Sequence, residues 1–188
     1  MRKLKLQMRF SVDGFVATPD GNEDWSWYPD EKGWQLINEL ADTSDTLLIG
    51  RKMSEAFIPH FEGFKPEDNK YDFAQKMVNI PKVIFTKTLD SPFGKNTTLA
   101  KGNLAEEIVN LKKQAGKDIL VYGGASFVAS LIAGGHIDEF YLFVTPVLIN
   151  KGLRIFDLLE YHQKLSLISV TPLKSGVVVL CYQLNKKN

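Results

Sequence analysis

The stretch Ile119-Leu120-Val121-Tyr122-Gly123-Gly124-Ala125-Ser126 joins an apolar run to two glycines and the start of a helix-like segment. Its first four residues are typical of a strand that is buried on both faces. Residues 126–133 are predicted to form a helix, and the glycine pair at 134–135 ends it. A buried strand that leads directly into a helix is the repeating unit of mainly parallel sheets, so this stretch predicts an α/β fold.

The same alternation of strand-like and helix-like patterns extends through the first two thirds of the chain. Further strands are predicted at residues 4–11, 46–49 and 83–85, and further helices at 29–41, 71–78 and 104–115, with one helical turn near 54–57 and a polar loop over 60–70. No linker or repeat divides these segments. We therefore expect one domain that spans residues 1–188.

The last third of the chain has a different pattern. Residues 139–147 are predicted to form a long strand, and residues 165–171 and 177–184 a hairpin that turns at Lys174-Ser175-Gly176. The complete prediction is a three-layer α/β/α fold, in which helices cover both faces of a mainly parallel sheet and an antiparallel C-terminal hairpin extends one edge.

Composition excludes several classes of function. The 188 residues are 44% hydrophobic and 24% charged with a net charge of +1, which does not indicate a nucleic-acid-binding surface. No apolar run approaches the roughly 18 residues of a membrane span, and no signal peptide is visible, so we expect a cytoplasmic protein without a membrane partner. The lone Cys181 rules out an intrachain disulfide and a cysteine-based zinc site. The three histidines lack metal-ligand spacing, and no metal is expected.

Glycine and basic residues follow three of the predicted strands directly, as Gly50-Arg51-Lys52, Thr86-Lys87 and Gly123-Gly124-Ala125-Ser126. In open parallel sheets, ligands bind beyond the carboxyl ends of the strands. Glycine allows a ligand close to the backbone, and helix N-termini and cations attract phosphates. The combination favours a ligand with more than one phosphate. Taken singly, each segment is also compatible with a tight turn or a solvated basic turn that binds nothing.

Taken together, these segments resemble those of a known family, the dihydrofolate reductase-like proteins. It is most similar to the branch that contains the reductase domain of the bacterial riboflavin-pathway deaminase/reductase. The matching segments lie in the family order at residues 10–17, 48–52, 83–87, 119–125, 138–142 and 146–156. The deaminase half of that enzyme is absent, because the chain has no H-x-E followed by P-C-x-x-C.

The resemblance implies that NADPH lies across the strand ends. The residues that would hold its 2′-phosphate and pyrophosphate are Gly50, Arg51, Lys52, Thr86 and Lys87. The glycine pair Gly123-Gly124, joined in dihydrofolate reductases by a cis peptide, would abut the cofactor. Ala125, Ser126 and Phe127 would line its pyrophosphate and ribose, and Ala17 would lie near the nicotinamide. Arg51 and Lys87 favour NADPH over NADH because they can pair with a 2′-phosphate.

The chain departs from the family where the substrate would bind. In dihydrofolate reductases an acidic residue binds the pterin. The equivalent position in this chain falls near Trp34, which has no carboxylate and cannot bind a pterin in that way. Residues 25–29 are strongly aromatic, which suits a flat or apolar small-molecule substrate better than a sugar phosphate. Trp25, Trp27, Trp34 and Tyr122 are therefore predicted to line a substrate pocket. The aromatic loop is equally compatible with packing on the core or in a dimer contact.

The candidate proton donors are Asp13, Asp30, Tyr122 and a bound water. Asp30 is also explained as a helix-start acid, and Tyr122 as a core residue. The leading hypothesis is an NADPH-dependent oxidoreductase that acts on a small heterocycle or carbonyl compound. The alternatives are an NADPH-binding sensor without turnover and a structural domain that has lost the cofactor. By resemblance, a homodimer through the C-terminal strands is expected.

Overall fold

One mixed sheet runs through the part of the chain that the computed structural model describes, residues 1–26 and 30–185. The strands are β1 (Leu4–Ser11), β2 (Ser44–Gly50), β3 (Lys82–Phe85), β4 (Thr97–Ala100), β5 (Asp118–Gly123), β6 (Glu139–Thr145), β7 (Leu165–Pro172) and β8 (Val178–Leu184), in the spatial order β4-β3-β2-β5-β1-β6-β8-β7. Only β8 runs in the opposite direction to the other seven strands, so its pairings with β6 and β7 are antiparallel and the remaining pairings are parallel. The predicted parallel sheet with a C-terminal hairpin at one edge is therefore confirmed.

The helices lie on both faces of this sheet and bury two separate apolar layers. They are α1 (Glu31–Asp42), α2 (Arg51–Glu62), α3 (Tyr71–Asn79), α4 (Leu104–Lys113) and α5 (Ala125–Ala133). On one face, Ile37, Phe57 and Met77 bring α1, α2 and α3 onto the sheet. On the other face, Ile108 and Val128 do the same for α4 and α5. The three-layer prediction is confirmed. No helix among the described residues is long and apolar enough to cross a membrane.

Two elements differ from the sequence prediction. Helix α2 has 12 residues instead of one turn, because Phe57, Ile58 and Phe61 pack on the core and hold the helix together through Pro59. Strand β4 was not predicted at all. Its segment TTLA is only four residues long and half polar, and only Ala100 is buried. Its pairing with β3 and not its composition therefore makes it a strand.

Capping side chains fix the starts of two helices, α1 at Glu31 and α4 at Leu104. The side chain of Asp30 accepts hydrogen bonds from the backbone N–H groups of Lys32 and Gly33, and Asn103 does the same for Ala105 and Glu106. Asp30 also accepts from the N–H of Ser175, in the turn before β8. One carboxylate thus caps α1 and ties it to the C-terminal hairpin.

Candidate active site

The carboxyl ends of β2, β3 and β5 lie side by side and bring the three predicted segments together. The cavity at this edge, here called cavity A, has a volume of about 600 Å³. Eight predicted cofactor residues line it: Gly50, Arg51, Lys52, Thr86, Lys87, Gly124, Ser126 and Phe127. Phe85, Gly102, Asn103, Leu104 and Ser130 line it as well, although the sequence did not single them out. The predicted Ala17, Gly123 and Ala125 are not among its lining residues.

Two helices begin next to each other at cavity A. Gly50 is the N-cap of α2 and Gly124 is the N-cap of α5, so no side chain caps the first N–H groups of either helix. The two starts are close enough that a Cβ placed on Gly124 would lie 3.4 Å from the Cα of Gly50. Two uncapped helix N-termini pointing at one cavity suit a ligand with two linked phosphates.

The cations of cavity A are held by neighbouring groups. Arg51 Nη1 lies 2.5 Å from Glu55 Oε1, one turn further along α2. Lys87 Nζ donates to the carbonyl oxygens of Lys101 and Gly102, at 2.6 and 2.8 Å, and so closes the loop beside the cavity. Lys52 is exposed. Arg51 therefore has a competing partner that an anionic ligand would have to share or displace.

An aromatic pair forms one wall of cavity A. The rings of Phe85 and Phe127 stack with centroids 4.8 Å apart. The position of Phe127 depends on Gly50, because a Cβ on Gly50 would lie only 2.8 Å from Phe127 Cβ. Such a flat surface next to a phosphate-sized site is suited to the base or ribose of a nucleotide.

A second cavity, cavity B, is lined by residues of β1, α2 and β5 and has a volume of about 480 Å³. Its apolar wall is formed by α2, through Met53, Phe57 and Phe61. The polar wall comes from the sheet and from the loop before the 3-10 turn at Asp24–Ser26, and includes Gln7, Arg9, Glu23 and Tyr122. Tyr122 lines cavity B and Gly124 lines cavity A, so residues only two positions apart in the chain contribute to the two cavities.

The polar groups of cavity B influence one another. Burial lowers the pKa of Arg9. The electrostatic interactions of Arg9 with Tyr122 and Glu23 oppose this shift and partly offset it. Although Glu23 is exposed as a residue, desolvation of its carboxyl raises its pKa, and Arg9 opposes that shift. Burial also raises the pKa of Tyr122, so its hydroxyl stays protonated at neutral pH and can donate a hydrogen bond. Cavity B thus combines a cation, a carboxyl group and a hydroxyl donor with an apolar wall.

The two predicted acids lie outside both cavities. Asp13 accepts hydrogen bonds from the backbone N–H groups of Ile149 and Asn150, and these bonds, with one from Ser11, lower its pKa. For Asp30, desolvation is opposed by the N–H groups that it caps, and the net effect lowers its pKa. Carboxylates that are kept ionised in this way are poor proton donors. Of the three candidates, only Tyr122 faces a cavity of substrate size.

The predicted aromatic residues are dispersed. Trp34 packs edge-on against Phe73, with centroids 5.5 Å apart, and lines a separate small cavity of about 30 Å³ that also touches Arg9. Trp25 is partly buried in the 3-10 turn. Trp27 lies outside the described residues. Tyr122 is the one member of the set that lines cavity B within the described ranges.

Two other expectations concern the backbone. The peptide bond between Gly123 and Gly124 is trans, so the cis bond implied by the resemblance is not present. Ala17 is held in an isolated bridge by Leu153, whose N–H donates to the Ala17 carbonyl at 2.8 Å. A Cβ on Gly152 would lie 2.1 Å from that carbonyl oxygen, which explains why glycine stands there.

The sequence interpretation missed Gln7, Arg9 and Glu23. A signal for the first two was present, because residues 4–11 alternate between apolar and polar side chains. Strands covered on both faces are normally apolar throughout, so polar residues every second position in β1 indicate that part of one face is open to a ligand. For Glu23 there was no local signal, since it lies in a polar loop.

The topology and the cavity at the carboxyl ends of β2, β3 and β5 define an α/β protein with a candidate ligand site at the edge of its parallel strands. The chain belongs to the family of the RibD C-terminal domain, whose model matches residues 2–179. This agrees with the resemblance found in the sequence.

Similar proteins cover nearly the whole chain. The uncharacterized protein YyaP of Bacillus subtilis is 28% identical over 185 residues, which are 98% of this chain and 96% of YyaP. The Thermotoga maritima diaminohydroxyphosphoribosylaminopyrimidine deaminase/5-amino-6-(5-phosphoribosylamino)uracil reductase superposes with a TM-score of 0.72 at 17% identity, over 98% of this chain and 57% of that one. Enterococcus faecalis dihydrofolate reductase complexed with NADP(H) and RAB-propyl superposes with a TM-score of 0.62 at 15% identity, over 98% and 97%. At these identities, the two structures show the shared fold.

Proposed function

We propose that this protein is an NADPH-dependent reductase that transfers hydride to a C=N or C=O bond of a small heterocyclic or carbonyl compound. One observation carries the proposal: the starts of α2 and α5, both with glycine at the N-cap, meet at cavity A, and Tyr122, two residues before Gly124, lines cavity B. Cavity A has the features that a dinucleotide needs, and cavity B has the size and the mixed walls of a small-molecule site. Membership in a family with reductase domains supports the same assignment.

Different residues of the chain would bind different parts of the cofactor. The N–H groups at the starts of α2 and α5, together with Arg51, Lys52, Thr86 and Lys87, would bind the phosphates. Gly123, Gly124, Ala125, Ser126 and Phe127 would form the surface along the cofactor, and Ala17 would approach it from the loop after β1. The bound NADPH would supply the hydride.

Tyr122 is the proposed hydrogen-bond donor at the reacting end of the substrate. Its protonated hydroxyl faces cavity B directly beside the glycine pair, so it can orient the accepting oxygen or nitrogen or a water that delivers the proton. Asp13 and Asp30 remain candidates from the sequence, but their hydrogen bonds to backbone N–H groups favour a structural role. That observation also supports the second candidate function, a sensor that binds NADPH without turnover. Consumption of NADPH with a substrate panel separates the two.

Arg51→Ala is expected to weaken NADPH binding about tenfold or more and to leave NADH binding unchanged, because the guanidinium would pair with the 2′-phosphate. Glu55→Gln is expected to tighten NADPH binding, since it replaces the carboxylate that pairs with Arg51 at 2.5 Å by a neutral amide and so weakens the competition for the guanidinium. Calorimetric titration of both nucleotides measures these changes. Lys113→Ala, which removes an exposed cation at the far end of α4, is the matched control. Failure of wild-type protein to bind either nucleotide would eliminate the reductase proposal.

A homodimer through β7 is the second part of the proposal. This edge strand pairs only with β8 in the described sheet and contains no charged residue. Leu167 and Ile168 on it are 56% and 51% exposed. Edge strands that stay unpaired usually carry charges that prevent association, whereas an uncharged apolar edge can meet a second copy of itself without repulsion. The cytoplasmic location expected from the sequence stays a prediction.

Leu167→Lys is expected to convert the homodimer to a monomer, because two copies would then place like charges in the contact. Sedimentation velocity on wild type and variant measures the change. Val109→Lys provides the control, as it charges a 40% exposed apolar residue on α4, away from β7. A wild-type protein that sediments as a monomer, or a Leu167→Lys protein that stays dimeric, would contradict the proposed interface.

A further inference from the structure

Gln7 carries a buried polar atom that the fold does not satisfy. The residue is only 4% exposed, and its amide oxygen Oε1 has no hydrogen-bond partner among the residues that the structure describes. Most buried polar side-chain atoms in proteins have a partner, because burying one without a hydrogen bond is costly. An exception at this position needs a physical explanation.

The position of Gln7 provides that explanation. Gln7 lies in the middle of β1 and lines cavity B. Its neighbour Leu6 is in register with Val121 of β5, and Tyr122, the next residue of β5, lines the same cavity. On the other side Gln7 is in register with Tyr141, whose hydroxyl donates to Glu139 Oε2 at 3.0 Å and so does not serve Gln7. The residue that carries the unsatisfied oxygen is therefore part of the wall of cavity B, and the oxygen itself is buried in that wall.

We propose that Gln7 determines substrate specificity, and that its Oε1 accepts a hydrogen bond from an N–H or O–H group of the substrate. This inference rests on the proposed function, since it assigns cavity B to the substrate. It narrows the substrate to flat compounds that carry a donor at the edge facing β1 while the apolar part rests on Met53 and Phe57. Compounds that present only acceptors or methyl groups at that edge leave Oε1 buried and unpaired, and are selected against.

The test uses pairs of flat probes that differ only in one donor. Suitable pairs are phthalimide and N-methylphthalimide, carbostyril and N-methylcarbostyril, and benzimidazole and N-methylbenzimidazole. Each is titrated by calorimetry into the complex of the wild-type protein with NADP⁺. At least one donor-bearing probe is expected to bind about tenfold more tightly than its methylated partner, the effect of one unsatisfied buried acceptor.

Three variants assign the preference to Gln7. Gln7→Met, of similar length but without hydrogen-bonding groups, is expected to remove the preference, to leave NADPH binding unchanged, and to melt no lower than wild type. Gln7→Glu keeps acceptor oxygens and is expected to keep the preference. Gln183→Met makes the same substitution at an exposed position of β8 and is the matched control.

The inference and the proposed function fail in different ways. If NADPH does not bind to wild-type protein, cavity A is not a cofactor site, and both fail. If NADPH binds but no donor-bearing probe binds better than its methylated partner, only the role of Gln7 is overturned. The same conclusion follows if Gln7→Met keeps the preference for the donor-bearing probe. If that variant also melts at a lower temperature than wild type, the role of Gln7 is purely structural.

Discussion

Gly124→Ala is expected to weaken NADPH binding by at least about tenfold while the protein remains folded. Gly124 has a φ of +89°, a conformation that costs an L-residue about 1–2 kcal/mol. The added Cβ would lie 3.4 Å from Gly50 Cα and 3.6 Å from Met53 Cβ, where the helix starts meet and the cofactor must approach the backbone. Calorimetric titration with NADPH, combined with thermal unfolding, separates the loss of binding from the loss of stability.

A glycine just beyond the C-terminal end of α5 provides a control for backbone strain. Gly135 has a φ of +64°, but a Cβ there would have no heavy atom within 4 Å. Gly135→Ala therefore imposes a similar conformational cost at the opposite end of the helix and is expected to bind NADPH like wild type. Equal binding by Gly124→Ala and wild type would show that the glycine pair does not contact the cofactor, and would remove the main support for cavity A.

Lys82→Met is expected to lower the free energy of unfolding by about 2–3 kcal/mol, because it leaves several buried acceptors unpaired. The Lys82 side chain is almost fully buried, with 2% of the residue exposed. Its Nζ donates to the carbonyl oxygens of Met77, Val78 and Ile80, at 2.9, 2.8 and 2.8 Å. A single ammonium thus satisfies the C-terminal end of α3. Chemical denaturation measures the loss, and Lys32→Met, on the exposed face of α1, is the control.

The same lysine makes stability depend on pH. Burial lowers the pKa of Lys82 from 10.5 to about 8, with Glu62 opposing the shift and Lys95 adding to it. Between these two values the unfolded chain holds more protons at this site than the folded chain, so the free energy of unfolding rises with pH. Below about pH 8 both states are protonated, and this contribution no longer changes. Wild type should therefore gain stability relative to Lys82→Met between about pH 8 and 10, and a constant difference would be incompatible with the buried ammonium.

The candidate cofactor site was predictable to a large extent because its parts are local. A glycine that follows an apolar strand and precedes a helix can be recognised in a few residues, as at Gly50 and Gly124. The parallel arrangement of β2, β3 and β5 then brings these local features to one edge without further information. The trans bond between Gly123 and Gly124 shows the limit of resemblance, since it depends on the surroundings and not on the dipeptide.

The candidate substrate site was less predictable because its parts are far apart in the chain. Gln7, Glu23 and Tyr122 meet only through the pairing of β1 with β5 and the placement of the loop before the 3-10 turn. The aromatic residues that suggested a pocket have other uses in the described structure, as the packing of Trp34 on Phe73 shows. Aromatic composition alone does not distinguish a ligand contact from a core contact.

The sequence by itself determined the α/β class, the helix starts at Asp30 and Asn103, and the strand ends that carry the phosphate-binding residues. These features depend on the periodicity and on the chemistry of neighbouring residues, which are encoded over short distances. Only the tertiary structure decided that β4 is a strand, that Asp13 and Asp30 bond to backbone groups, and that Oε1 of the buried Gln7 has no hydrogen-bond partner among the described residues. Each of these depends on what distant segments place next to a residue, because burial and hydrogen-bond satisfaction are properties of contacts and not of the residue itself.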